Sequence, residues 1–285
     1  MKYLFLAAML SLSLIAFSQP ASPDSGFTNK AEAKNAMVNG EKDGKWIEYL
    51  NNSMQDTKDT PAFYYRLIEY SGGKPLGIVH EYFGKGEAAG KLRNRIPYVD
   101  GKKNGLATKY YYIGKCASIC TYKDGKIDGL ETDYTNTGKI TREINFVNGK
   151  KSGLQKDYAA NGKLVSETTY NSEKKDGVEK LYYTSGTLKS ITYYKLDKED
   201  STQTNYYESG KLKSEIPFID GDTSGNATVY YENGHMQFQI TYEEDKREGE
   251  QKEYYDIGKL KEDIFYHEGV IVSTERYDIH ENKIQ

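Results

Sequence analysis

The sequence repeats itself every 24 residues, and this period constrains the fold more than any other feature. The stretch "YYESGKLKSEI" at 206–216 has near copies at 182–192, 230–240 and 254–264. Glycine recurs at 114, 138, 162, 186, 210, 234 and 258, and tyrosine at 110, 134, 158, 182, 206, 230 and 254. Tyrosine or phenylalanine recurs at 98, 122, 146, 170, 194, 218, 242 and 266. Such a period indicates an array of units that bury their apolar faces against one another.

Within one unit the apolar residues alternate with polar ones, which is typical of β-strands. Positions 212, 214, 216 and 218 (Leu, Ser, Ile, Phe) share one face, and Lys211, Lys213 and Glu215 take the other. The same alternation predicts that Leu130 and Thr132 lie on the apolar face, with Glu131 opposite. Each unit is therefore predicted to be a β-hairpin.

Two kinds of turn separate the strands. In the X-Gly-Lys turn, such as Ser209-Gly210-Lys211, isoleucine precedes the glycine in two repeats, which favours a type I turn with only the glycine left-handed, followed by a bulge. The second turn is predicted to be longer, Asp-Gly-Lys-x-Asp-Gly at 124–129. Where it lacks its first glycine it carries Asp197 or Asp245, which tolerate a left-handed backbone, while Glu173 does not fit that rule.

The composition favours a thin structure. Only 37% of the residues are hydrophobic, and tyrosine alone supplies 27 of the 285. Tyrosine can cover one face of a sheet with its ring while its hydroxyl stays in water. We therefore expect an all-β fold, an elongated single-layer antiparallel meander of about ten hairpin units, roughly 95 Å long at ~4.8 Å per strand.

The chain divides into four segments. Residues 1–18 read as a signal peptide, because Lys2 precedes an apolar run to Phe17 that ends in a small-residue boundary at Ser18. No cysteine directly follows the run, so a lipoprotein anchor is not expected. Residues 19–36 are predicted to be a linker, 37–96 two degenerate repeats with insertions, and 97–285 regular repeats with the last one truncated. Degenerate terminal units are expected where an array must be capped against water. Export places the protein in the periplasm, at the outer-membrane surface or outside the cell.

The pattern Y-x-x-G-K-x-x-G-x-x-x-x-Y-Y-x-x-G-K-L, clearest at 122–140 and 242–260, resembles a known family. It is similar to the MORN repeats, specifically the MORN-variant repeats of bacterial YwqK-family antitoxin proteins, over residues 37–285. The resemblance implies a sheet of hairpin repeats. For function it implies a scaffold, a membrane-associated protein or an antitoxin.

The sequence indicates no catalytic, cofactor-binding or metal-binding residue, so the chain is not expected to be an enzyme. "GKGEAAGK" at 84–91 departs from a phosphate-binding loop, and "DGKIDG" at 124–129 carries Lys126 where a calcium loop needs an oxygen ligand. The histidines, expected at surface strands or turns, have no ligand spacing; they are His80, His235, His267 and His280. Cys116 and Cys120 are not expected to pair with each other, because four strand residues span ~13 Å. They are expected to be buried small hydrophobic residues, with a reactive or intermolecular thiol as the alternative.

The strongest candidate for binding is the second tyrosine of each Tyr-Tyr pair. Its neighbour is predicted to face the apolar side, so it should form an exposed row on the opposite face. The candidate partner-binding surface comprises Tyr111, Tyr183, Tyr207, Tyr231 and Tyr255. Cross-strand packing is the alternative role for these rings. The expected partner is another protein, with a toxin among the candidates.

Lysines line both sets of turns, at 102, 103, 126, 150, 151, 174 and 175 on one edge and at 115, 139, 163, 211 and 259 on the other. They favour glycan or lipid headgroups as the alternative ligands, although neighbouring aspartates and a net charge of −3 are typical of a solvated mixed-charge rim. Nucleic acid is not expected as a partner of an exported acidic chain. An open edge strand could also drive self-association.

The export interpretation predicts that the mature protein begins at Gln19. N-terminal sequencing of the protein recovered from the envelope or medium checks this, with a chain lacking residues 4–17 as the control that should stay in the cytoplasm. Cytoplasmic protein that retains Met1 would contradict the prediction.

Overall fold

The computed structural model describes residues 27–59 and 61–284. The predicted signal peptide at 1–18 lies outside the described residues. A three-residue 3-10 helix at Lys30–Glu32 precedes a single antiparallel sheet of 24 strands. The strands are β1 (Ala36–Val38), β2 (Glu41–Leu50), β3 (Tyr64–Ser71), β4 (Lys74–Phe83), β5 (Leu92–Val99), β6 (Lys102–Lys103), β7 (Gly105–Tyr110), β8 (Cys116–Lys123), β9 (Lys126–Ile127), β10 (Gly129–Tyr134), β11 (Ile140–Val147), β12 (Lys150–Tyr158), β13 (Leu164–Asn171), β14 (Lys174–Tyr182), β15 (Leu188–Lys195), β16 (Lys198–Glu199), β17 (Ser201–Tyr206), β18 (Leu212–Ile219), β19 (Asp222–Thr223), β20 (Gly225–Tyr230), β21 (Met236–Glu243), β22 (Lys246–Tyr254), β23 (Leu260–His267) and β24 (Val270–Arg276).

Consecutive long strands pair with each other along the chain, so the sheet is a continuous meander. The short strands β6, β9, β16 and β19 are the first parts of β7, β10, β17 and β20, separated from them by a bulge, and both parts pair with the same preceding strand. This confirms the predicted all-β hairpin-repeat meander. Over 97–276 the main contacts between strands are those between sheet neighbours.

The X-Gly-Lys turns have the predicted geometry. Gly210 has φ +85°, its N–H donates to Tyr207 O at 2.9 Å, and the Tyr207 N–H donates to Lys211 O at 2.8 Å. Ser209 before it is not among the residues with positive φ. The prediction of a type I turn closed by one left-handed glycine is confirmed.

The second turn is shorter than predicted. Asp124 (φ +50°) and Gly125 (φ +89°) alone connect the paired residues Lys123 and Lys126, which is a two-residue type I′ hairpin. The predicted second half of the turn is a separate bulge, at which Gly129 has φ +112°. Other repeats force non-glycine residues into the same left-handed pair, at Ser172-Glu173, Leu196-Asp197 and Glu244-Asp245.

The bulge also corrects the predicted faces. Glu131 pairs directly with Ile144, and Gly129 with Phe146, so in the first strand of this unit the polar residues share the face of the isoleucine column. Leu130 points the other way and is 46% exposed. Side chains still alternate along the strand. Because the bulge adds one residue, the polar side chains face the isoleucine column and the apolar ones face the opposite side. We call the face of Ile144 and Phe146 face A, and the face of Leu130 face B.

The N-terminal units are the best-packed part of the described chain. On face B, Phe27 is fully buried against Tyr65 and Leu67, inside the segment predicted to be a linker. The insertion after β2 turns back along the sheet edge, where the Thr57 N–H donates to Tyr49 O at 2.9 Å. The irregular units therefore cover surfaces that the regular repeats leave open, as expected of a cap.

The left-handed turn predicts an asymmetric response to two neighbouring substitutions. Gly210→Val should destabilise the protein by about 1–2 kcal/mol or more, because a β-branched residue resists positive φ. Ser209→Val should be close to neutral, because isoleucine occupies the equivalent positions 113 and 257. Urea unfolding of both variants measures the difference, and equal midpoints would rule out the turn assignment.

Candidate binding surfaces

The second tyrosine of each pair is a link between repeats. All five candidate tyrosines are half-buried at the start of the three-residue turn, and their hydroxyls donate to a backbone carbonyl of the next hairpin. The bonds are Tyr111 to Tyr134 O (2.6 Å), Tyr183 to Tyr206 O (2.8 Å), Tyr207 to Tyr230 O (2.6 Å), Tyr231 to Tyr254 O (2.9 Å) and Tyr255 to Tyr277 O (3.0 Å). The structure thus places them in a half-buried row, where we had expected an exposed one, with their hydroxyls already bonded.

Tyr158 and Tyr182 belong to the recurring tyrosine column that supplies the first residue of each Tyr-Tyr pair. They lie on face B with glutamates of the preceding hairpin, which corrects the predicted position of this column on the isoleucine face. Tyr158 donates to Glu143 Oε2 at 2.7 Å, and Tyr182 to Glu167 Oε2 at 2.8 Å. Burial, followed by these hydrogen bonds, raises the pKa of both phenols to about 12. These tyrosines stay neutral at physiological pH and hold the centre of face B.

The edge at the two-residue turns is linked by the backbone. The Gly125 N–H donates to Lys103 O at 2.8 Å, and the Gly149 N–H to Ile127 O at 2.7 Å. Acidic turn residues add side-chain bonds, since Glu173 accepts from the Lys151 N–H (2.6 Å) and Asp197 from the Lys175 N–H (2.7 Å). Several turn carboxylates are therefore bound to backbone and do not pair with the adjacent lysines.

The lysines of the turns divide into three groups. The second lysine of each pair lies on face A over a tyrosine ring, as Lys103 does over Tyr122 (5.0 Å) and Lys175 over Tyr194 (4.5 Å). Three lysines of the three-residue turns reach the next turn, as Lys211 Nζ does to Glu232 O at 2.9 Å; the other two are Lys139 and Lys163. The third group is exposed and makes no ion pair or side-chain hydrogen bond among the described residues. Seven of its members, all between residues 102 and 198, form what we call the lysine row: Lys102, Lys123, Lys126, Lys150, Lys174, Lys195 and Lys198.

The lysine row lies on face B. Lys123 pairs directly with Lys126, and Lys195 with Lys198, so in each pair both side chains leave the same face. Thr121, two residues before Lys123, pairs with Leu106, which assigns the row to the face of Leu106 and Leu130. The row therefore borders face B along the edge of the two-residue turns.

Face B also carries a row of apolar side chains beside these lysines. Leu106, Leu130 and Leu154 are 53%, 46% and 38% exposed, and Val178 occupies the next equivalent position. Each follows the glycine of a bulge and pairs with Thr121, Asn145, Thr169 and Tyr193 respectively. We call these four residues the apolar row. Sequence reasoning missed it because Leu130 was assigned to the buried face; the recurring Gly-Leu of 105–106, 129–130 and 153–154 was the available signal.

Face A is more closed although no second layer covers it. Ile144 is 1% exposed, and Thr192 3%, because neighbouring strands crowd their side chains over one another. Carboxylates on this face form ion pairs; Lys175 Nζ, for example, lies 2.6 Å from Glu179 Oε1. Near the N-terminal end, the buried Glu48 accepts from Lys42 (2.5 Å) and from the Tyr70 hydroxyl (2.7 Å). These groups stabilise the sheet.

A shallow cavity of about 220 Å³ opens on face A where the repeats carry small side chains. Ala107, Ser118 and Cys120 line it together with Tyr122 and Glu131. Cys116 and Cys120 are not bonded to each other, as expected, but they are half-buried where buried residues were predicted; burial raises the pKa of both thiols. The Ser118 hydroxyl donates to Glu131 Oε1 at 3.3 Å, so the carboxylate in this cavity already accepts a hydrogen bond from the protein.

The histidines lie apart from one another. His80 is buried, which corrects its predicted surface position: its Nδ1 faces Phe27 O at 3.2 Å, because the N-terminal segment covers it. His235 and His267 are exposed and contact Asp256 O and Glu248. Over 27–59 and 61–284, no three His, Cys, Asp or Glu side chains are grouped to hold a metal ion. In the same residues no helix is long and apolar enough to cross a bilayer.

A family model described as the MORN repeat variant matches six stretches of the chain. They are 127–148, 151–172, 175–196, 199–220, 224–244 and 247–277. No curated protein sequence is similar enough to count as a relative.

Two solved structures illustrate the similarity to known folds. The crystal structure of TcdB2-TccC3-TEV is 12% identical with a TM-score of 0.18, over 76% of this chain and 15% of that one. The Tc holotoxin pore of Photorhabdus luminescens is 10% identical with a TM-score of 0.17, over 80% of this chain and 15% of that one. This chain spans less than a fifth of either protein, and similarity at this level carries no inference.

The tyrosine links predict a measurable contribution to stability. Tyr207→Phe removes the hydroxyl bonded to Tyr230 O and should lower the free energy of unfolding by about 0.5–1.5 kcal/mol. Tyr112→Phe is the matched control, because that ring is 56% exposed in the equivalent turn of another repeat and its hydroxyl has no partner among the described residues. Urea unfolding checks both, and a Tyr207→Phe protein as stable as the control would count against the link.

Proposed function

With MORN-variant repeats matched between residues 127 and 277, the chain is a MORN-repeat protein, and we propose that it is a non-enzymatic scaffold that binds another protein through face B. The observation that carries the proposal is the apolar row. Exposed leucines aligned at one repeat position offer regularly spaced apolar contacts, whereas isolated exposed leucines are ordinary. The side chains of face A contact one another instead.

The proposal refines the role of the five candidate tyrosines. Their hydroxyls are bonded to backbone, so they shape the surface and keep neighbouring hairpins in register. The exposed contact area on face B comes from the leucines. A partner would bury the apolar row, and each leucine, already about half-buried, would contribute up to about 1–1.5 kcal/mol before the cost of association.

The proposed setting is the cell envelope, on the signal-peptide pattern of residues 1–18. A toxin is one partner that the YwqK-family resemblance suggests; it would have to act in or pass through the envelope. These two parts of the proposal rest on sequence alone.

The lysine row favours a second candidate function, association with anionic lipid headgroups or acidic wall polysaccharide. Seven exposed lysines without carboxylate partners would attract an anionic surface at a distance set by salt. Binding of a polysaccharide would not require the apolar row. Loss of the leucines should therefore abolish binding of a protein partner and leave binding of a polysaccharide intact.

Affinity capture with matched variants tests the proposal. The exported chain should retain one stoichiometric protein partner from envelope fractions, and Leu106→Ser with Leu130→Ser and Leu154→Ser should lose it. Ile113→Ser with Ile257→Ser is the control, because those side chains are 45% and 55% exposed at the opposite edge. The interaction must then be reproduced with the purified partner.

Equal retention by wild type and both variants would show that face B is not the binding surface. Enrichment of lipid or polysaccharide that survives loss of the leucines would favour the second candidate function.

A further inference from the structure

The spacing of the apolar row matches the repeat of an α-helix. Leu106 and Leu130 lie on β7 and β10, with β8 between them, and the same separation recurs to Leu154 and to Val178. Two strand spacings amount to about 9.6 Å. Seven residues of an α-helix rise about 10.5 Å. A helix laid across the strands would therefore present every seventh residue to successive members of the apolar row.

The charges on either side of the apolar row differ. On the side of the two-residue turns lies the lysine row, whose ammonium groups make no ion pair among the described residues. On the other side, Lys156 pairs with Glu167 at 3.9 Å, and Glu143 accepts from Tyr158 at 2.7 Å. The flank at the two-residue turns therefore carries a run of lysines without ion pairs, whereas the other flank mixes lysines with glutamates that pair or accept hydrogen bonds.

Three carboxylates near the lysine row are held by backbone groups and make no ion pair with it. Glu173 and Asp197 accept backbone N–H groups of the previous hairpin, and Asp128 accepts the Asn148 N–H at 3.0 Å. These bonds hold the acidic groups to the backbone, while the lysine side chains extend into solvent. An acidic partner would find cations there that are free to pair.

From these observations we propose that face B binds an amphipathic α-helix that has an apolar residue at every seventh position and acidic residues along one flank. The helix lies across β7 to β14, with its apolar residues on Leu106, Leu130, Leu154 and Val178 and its acidic flank on the lysine row. This inference rests on the proposed scaffold function and names the partner's structure. About 22 residues of helix, some 33 Å, would span four repeats.

Charge complementarity favours an acidic helix over other occupants. A basic helix would be repelled along the whole lysine row, and a neutral one would leave it unused. An extended strand would need a sheet edge, whereas the apolar row lies on a face of strands that are paired on both sides.

A synthetic peptide tests the inference on the full exported chain. The probe is a 22-residue helical peptide with leucine at every seventh position and glutamate along one flank. We expect saturable binding by fluorescence anisotropy, weakened as salt rises from about 0.05 to 0.5 M. A peptide of the same composition with leucine at every fifth position, and one with lysine in place of glutamate, should each bind at least about tenfold more weakly.

Variants of the protein locate the contact. Leu106→Ser with Leu130→Ser and Leu154→Ser should weaken binding of the acidic peptide about tenfold or more. Lys126→Gln with Lys150→Gln should weaken it about threefold to tenfold and reduce its salt dependence. The controls at the opposite edge, Ile113→Ser with Ile257→Ser and Lys115→Gln with Lys259→Gln, should bind like wild type. Circular dichroism and melting temperature verify that every variant is folded.

Several results would overturn the inference. These are absence of binding, equal binding of the peptide with leucine at every fifth position, and equal binding by the leucine variant. Binding to vesicles of anionic phospholipid, lost in the lysine variant and not matched by the peptide, would replace the helix with a lipid surface. If a captured protein partner depends on the apolar row but the peptide does not bind, the scaffold function stands and the helix is wrong. If nothing depends on the apolar row, both are wrong.

Discussion

A single-layer sheet has no opposing layer, so each hairpin is held in place only by the hairpins on either side of it. Two kinds of bond reinforce that lateral contact beyond the strand pairing, although the tyrosine bond is missing where Thr135 or Ala159 begins the turn. At one edge the hydroxyl of a tyrosine such as Tyr207 bonds the backbone of the next hairpin, and at the other a turn N–H such as that of Gly149 bonds the backbone of the previous one. Because these bonds recur at fixed positions, the array can lengthen by adding units without a new core.

The open faces that follow from this design differ in character. On face A, side chains of neighbouring strands cover one another, and the charges pair locally, as Lys175 and Glu179 do. On face B, the residue after each bulge glycine points away from the isoleucine column, so leucines remain exposed beside unpaired lysines. The bulge that connects the turn to the long strand is thus also the feature that creates a candidate contact surface.

The ends of the array are treated differently from its middle. Phe27 and the irregular N-terminal units bury the side chains that would otherwise be exposed, and His80 becomes a buried residue for that reason. The regular units between 97 and 276 have no such cover. A stable cap at one end allows the middle of the sheet to stay thin and open.

The sequence by itself determined the hairpin repeat, the strand alternation and the left-handed glycine of the three-residue turn, because each depends on local backbone preference and a fixed period. It also identified Tyr207 and its equivalents as recurring features. Only the tertiary structure decided where those hydroxyls bond and which face carries Leu130. A hydroxyl's partner lies about one repeat away in sequence, and a one-residue bulge reverses the face of every residue after it, so neither could be read from spacing alone.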